Sequence, residues 1–140
     1  MNIAYGFATN IPPPISPAVN IEMDTYDNGA GLNDIPDDHI AINRDGSLMA
    51  VIMPAVTAKG NAANIEDSVW HEVEINWDPV IMTLQVYFDC ELRQTMVNDI
   101  VTNVFSGNPL VYYGFTASTG LLKNQQKFLY LIHDAGTDVT

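Results

Sequence analysis

The sequence predicts an all-β protein of antiparallel strands, and three observations carry that reading. Val73, Ile75 and Trp77 alternate with Glu72, Glu74 and Asn76, and Leu84, Val86 and Phe88 repeat the pattern. Period-two alternation is the mark of a strand with one face buried and one face in water. The helical signal is a single capped turn at Asn98-Asp99, followed by Ile100, Val101, Val104 and Phe105 and stopped at Gly107-Asn108-Pro109. Apolar residues make up 47% and charged residues 16% of 140 residues, which describes one globular, β-rich domain rather than a disordered chain.

The other elements follow in order. Asn20 to Asn43 opens and closes as strand, with a Gly/Asn/Asp/Pro loop between. In the first strand Glu22 and Asp24 share a face. In the second, His39 and Ala41 share one face, with Ile40 and Ile42 on the other. Trp77-Asp78-Pro79-Val80 begins the turn between two paired strands. Asp89-Cys90 stands where a two-residue hairpin turn wants Asp-Gly, so Cys90 is expected at positive φ, strained by about 1 kcal/mol. Leu110 to Thr116 is apolar throughout and predicts a buried central strand, and Lys127 to His133 predicts a final one. His71 and His133 read as ordinary strand residues.

Charge narrows the function classes. The net charge is −12 with five basic residues. Nucleic acid is disfavoured, because affinity for phosphate comes from Lys and Arg, and so is an anionic membrane surface. The longest apolar run, Leu48 to Val56, contains Pro54 and is too short to span a bilayer. Residues 1–20 lack the basic start and apolar run of a signal peptide. Cys90 is the sole cysteine, so no internal disulfide forms, and no Cys/His/Asn set makes it a nucleophile.

The acids are concentrated. Glu22, Asp24, Asp27, Asp34, Asp37, Asp38 and Asp45 are seven of the seventeen. Carboxylates on neighbouring strands repel unless a cation lies between them. Asp24, Asn28, Asp34 and a backbone carbonyl near Tyr26 offer the hard oxygens that Ca²⁺ takes. Glu22, Asp24, Asp34 and His39 mix carboxylate with imidazole, which suits Mn²⁺ or Zn²⁺. Asp24 and Asp34 can serve both ions. The plain alternative is a solvated acidic loop beside a structural histidine.

Three stretches carry a resemblance. Glu22-x-Asp24-x-Tyr26-x-Asn28, then Asp34 and His39, resembles the double-metal loop of L-type, legume-lectin-like lectins. Trp70-His71-Glu72-Val73-Glu74-Ile75-Asn76-Trp77-Asp78, followed by Thr83 to Asp89, resembles a strand pair of that family. Val111 to Leu122 resembles its later strand and loop, and the three fall in the family's order, nearest to bacterial members. The resemblance implies a concanavalin A-like jelly-roll β-sandwich over residues 1–140, as the C-terminal part of the family domain and therefore incomplete. Family members open with strands and an Ala-Asp-Gly loop that have no counterpart here, and Ala4-Tyr5-Gly6-Phe7 resembles the loop that comes next.

The resemblance further implies Ca²⁺ and a second divalent transition metal such as Mn²⁺, held by Glu22, Asp24, Tyr26, Asn28, Asp34 and His39. It implies a glycan partner, of mannose/glucose or galactose type, touched by Asn28 and by Gly120, Leu121 and Leu122. The family's sugar-binding Asp belongs to the segment without a counterpart, so half of a monosaccharide site is expected. An extracellular or cell-surface location follows from the family alone. A neighbouring segment or a second copy completing the sandwich is a further expectation. A structural or adhesion module without sugar binding is the second reading. Glycoside hydrolases of the same fold carry Glu-x-Asp-x-Glu, but here Tyr26 stands at the second Glu, so the acid/base pair fails and no catalytic residue is assigned.

Overall fold

In a computed structural model, the described residues are 15–61, 64–117 and 125–131. Among them are six strands: β1 (Val19–Asp24), β2 (His39–Arg44), β3 (Ser47–Thr57), β4 (Val73–Asp78), β5 (Thr83–Phe88) and β6 (Glu91–Val97). A 3₁₀ turn at Ala30–Leu32 lies in the β1–β2 loop, and a one-turn helix α1 (Ile100–Asn103) follows β6. The strands form two antiparallel sheets, ordered β1-β2-β3 and β4-β5-β6. The chain is all-β, as the alternation predicts, and the sheets face each other as a sandwich.

Tight turns set the register. Asp45 and Gly46 both have positive φ, at 58° and 65°, between β2 and β3. Asp89 and Cys90 repeat this at 50° and 65° between β5 and β6. Two consecutive left-handed residues match the twist of the flanking strands. Cys90 thus occupies the strained conformation expected of it. The turn after β4 is held by Asp78, whose Oδ1 accepts from the backbone of Val80 at 2.8 Å and Ile81 at 3.2 Å. Asp99 caps α1, its Oδ1 accepting from the Thr102 N–H at 3.0 Å.

The core lies between the sheets. Ile40 and Ile42 of β2 meet Leu84, Val86 and Phe88 of β5, Met96 of β6, and Ile100 and Val104 around α1. Each such side chain contributes about 1.5–3 kcal/mol by leaving water. Two polar bridges cross between the sheets. Gln94 Nε2 donates to the Ile40 and Pro54 carbonyls at 3.2 and 2.8 Å. Arg93 donates to the Thr57 carbonyl through Nε at 3.0 Å and a terminal nitrogen at 2.7 Å.

Three expectations are corrected. Leu110 to Thr116 is neither a strand nor buried: Tyr112 is fully exposed, and Leu110 is 83% exposed. The part of Lys127 to His133 that is described, residues 127–131, is likewise outside any strand and exposed. An all-apolar strand needs neighbours on both edges and cover on both faces, and among the described residues no strand pairs with either stretch. Instead Phe115 packs on Phe128, ring centroids 4.4 Å apart, and on Tyr130 at 5.7 Å. His71 is also not a strand residue. It lies before β4, with Nδ1 2.8 Å from Asp89 Oδ2 and Nε2 3.0 Å from Asp67 Oδ1, and it clasps the β5–β6 turn to the preceding loop.

Candidate metal centre

The site grows from the pairing of β1 with β2. Their antiparallel register sets Asp24 opposite His39, Glu22 opposite Ala41, and Asn20 opposite Asn43. Cross-strand partners point to the same side of a sheet. One face of the pair therefore carries Asn20, Glu22, Asp24, His39, Ala41 and Asn43, while Ile21, Met23, Ile40 and Ile42 go to the core. The β1–β2 loop brings Asp34 in. Glu22, Asp24, Asp34 and His39 are all buried, and His39 is only 1% exposed.

Asp24, Asp34 and His39 each offer one ligand atom within 4.8 Å of the others. That is the spacing of donors around a shared cation. His39 is prepared for it. Its Nδ1 lies 3.0 Å from the Asp37 carbonyl, which can only accept, so Nδ1 carries the hydrogen. In the neutral ring Nε2 is then a lone pair, buried and without a hydrogen-bond partner. Asp34 Oδ1, 3.6 Å from Nε2, is beyond hydrogen-bond length.

The loop backbone holds the carboxylates in place. Tyr26 N–H donates to Asp24 Oδ1 at 2.9 Å, and Asn28 N–H donates to Asp34 Oδ2 at 2.7 Å. Burial pushes Asp24 above the usual carboxylate range, against the pull of the Tyr26 hydrogen bond and His39. Burial, then the Asp24 carboxylate, push Glu22 up as well, against His39 and a hydrogen bond from Asn43. Crowded, desolvated acids beside an unpartnered imidazole nitrogen are a donor set that a divalent cation could share.

The predicted residues are not all brought together. Glu22 is on the same face but outside the three-residue cluster, its Oε2 held by Asn43 and its Oε1 unpartnered. Asn28 and Tyr26 are exposed. Asn28 Nδ2 donates to the Tyr26 carbonyl at 3.2 Å, so the amide and the carbonyl expected on Ca²⁺ bond each other here. Gly120, Leu121 and Leu122, expected at the sugar, lie outside the described residues. The sequence reading missed Asn43. Carrying the alternation of His39 and Ala41 two residues further would have placed it on this face. The role of the Asp37 carbonyl has no sequence signal at all.

The described residues form a two-sheet antiparallel β-sandwich with a buried acid–histidine cluster beneath the β1–β2 loop. The family model of the legume lectin domain matches residues 7–131, and the chain belongs to that family. With membership comes the concanavalin A-like sandwich and a carbohydrate-binding, lectin-like module. The family is generally non-catalytic. No helix among the described residues is long and apolar enough to cross a membrane.

Proposed function

We propose that this chain is a calcium-dependent carbohydrate-binding module whose binding loop is set by two divalent cations. Asp24, Asp34 and His39, with Glu22 beside them, would hold a transition ion such as Mn²⁺. Asp24 and Asp34, joined by Asn28 and the Tyr26 carbonyl once these let go of each other, would hold Ca²⁺. The observation that carries this reading is the buried His39 Nε2, which has no hydrogen-bond partner and lies in one cluster with two buried carboxylates. A cation supplies the charge that this cluster lacks, and it orders the loop before a sugar arrives, which lowers the ordering cost of binding.

The sugar contacts would come from the Asn28 amide and from backbone N–H groups of Gly120, Leu121 and Leu122. An extracellular or cell-surface setting suits a glycan ligand of this kind. The test is a glycan array on the chain with Ca²⁺ and Mn²⁺, after chelation, and on Asn28→Ala. Signal that requires both ions and Asn28 is expected. Signal indifferent to chelator and to Asn28 would place the sugar elsewhere, and silence on every glycan would leave the ion-dependent fold as a structural or adhesion module.

A further inference from the structure

The polar face of β1 and β2 contains one buried polar side chain to which the metal reading gives no role. Asn43 is 2% exposed. It sits on the Glu22 face, two residues beyond Ala41, the direct cross-strand partner of Glu22. Its Nδ2 donates to Glu22 Oε2 at 2.6 Å. With Glu22 ionised, as a bound cation requires, turning the amide over would set its oxygen against a carboxylate oxygen, so the nitrogen is the donor.

This bond divides the two oxygens of Glu22. Oε2 is satisfied, whereas Oε1 is buried with no hydrogen-bond partner. A buried carboxylate oxygen left bare is costly unless something positive reaches it. Asp24, His39 and Asp34 all lie within electrostatic reach of this carboxylate. A neutral amide is the fitting support: it grips one oxygen and adds no charge to a face already crowded with carboxylates. An acid at position 43 could donate to Glu22 only by holding a proton, and an aliphatic residue would leave Glu22 free to rotate. Ala41, between His39 and Asn43, adds no polar group to this face.

We propose that Asn43 is a positioning residue of the metal centre, holding Glu22 so that Oε1 stays available to a transition-metal cation bound with Asp24, Asp34 and His39. The inference rests on the metal reading above and concerns how this chain's own residues prepare for the ion. Groups of this kind, which orient a ligand without touching the metal, typically change metal affinity by about 10–100-fold when removed.

The test uses the full chain, with Mn²⁺ uptake followed by the electron paramagnetic resonance of free Mn²⁺ and the coordination read from the visible absorption of bound Co²⁺. Asn43→Leu is expected to weaken Mn²⁺ binding by about 10–100-fold and to change the Co²⁺ bands. Glu22→Gln is expected to do the same. Because Asn43 acts through Glu22, adding N43L to E22Q should cost no further affinity. Should the leucine variant not fold by circular dichroism, Asn43→Ala removes the donor without added bulk. Wild-type affinity and an unchanged Co²⁺ spectrum in the Asn43 variants, or fully additive losses in the double variant, would overturn the role of Asn43 alone. Failure of the wild type itself to take up Mn²⁺ or Co²⁺ would overturn the metal reading and this inference with it.

Discussion

Asp24 and His39 are direct cross-strand partners at the open end of the β1–β2 pair, and both are buried. Their placement is a consequence of register, since sliding either strand by one residue would turn its member of the pair to the opposite, apolar face. Of the three clustered residues, Asp24 and His39 are therefore placed by the sheet, and Asp34 is placed by the loop.

The first prediction concerns that pair. Ca²⁺ with Mn²⁺ at about 100 times their dissociation constants should stabilise the fold by about 2.7 kcal/mol per site. For a chain of this size that is a rise in melting temperature of roughly 8 °C. His39→Gln keeps the volume but loses the Nε2 lone pair. Its melting temperature should respond to Mn²⁺ and to chelator far less than that of the wild type. An identical response in scanning calorimetry would remove His39 from the centre.

The second prediction is the pH dependence of the same difference. Glu22 and Asp24 have folded-state pKa values raised by burial, with Asp24 adding to the shift of Glu22. In the metal-free protein, raised carboxylate values contribute stability that is full below the unfolded values, about 4. That contribution is lost as pH rises through the folded values. A bound cation needs the ionised forms, so it reverses the sign and loses to protons as the pH falls. The gap in melting temperature between metal-loaded and chelated protein should be widest at neutral pH and close toward pH 4. A gap that stayed constant over that range would mean that these two carboxylates do not face the ion.

How much of this was legible in the sequence follows from period-two alternation. It placed Glu22 and Asp24 together, put His39 on a neighbouring strand, and set Ile40 and Ile42 on the face away from His39, because a strand's faces are determined by counting. Counting also predicts what a stretch would bury, but not whether a neighbour exists to bury it. Leu110 to Thr116 reads as a central strand for its apolar run, and it is exposed where no described strand pairs with it. Hydrogen bonds between side chains and loop backbone are the other blind spot. Nothing in the spacing of Asp37 and His39 shows that a carbonyl fixes the imidazole, nor that Asn28 turns its amide onto Tyr26.

The third prediction tests the strained hairpin. Cys90 is exposed at φ 65°. A side chain in the left-handed region costs about 1–2 kcal/mol, and glycine removes this at an entropic cost of about 0.4–1 kcal/mol in the unfolded chain. Cys90→Gly should therefore stabilise by roughly 0.5–1 kcal/mol, a rise of about 2–3 °C in melting temperature. Cys90→Val, β-branched and ill-suited to positive φ, should move it down. Equal melting temperatures for the three proteins would mean that the turn relaxes to another geometry.

The last prediction concerns how the sheets are joined. Gln94, buried on β6, spans the interior and donates from one nitrogen to carbonyls of β2 and β3. Gln94→Ala leaves both carbonyls without that donor and opens a small cavity. Each buried polar group left unpaired costs about 1–3 kcal/mol, and part of this is recovered because the orphaned Gln94 Oε1 disappears too. A net loss of about 2–3 kcal/mol is expected in urea denaturation, with an unchanged slope if unfolding stays cooperative. Gln94→Met should recover the packing but not the hydrogen bonds, and so fall between the two. If methionine restores full stability, the side chain joins the sheets by filling space, and the polar bridge contributes nothing.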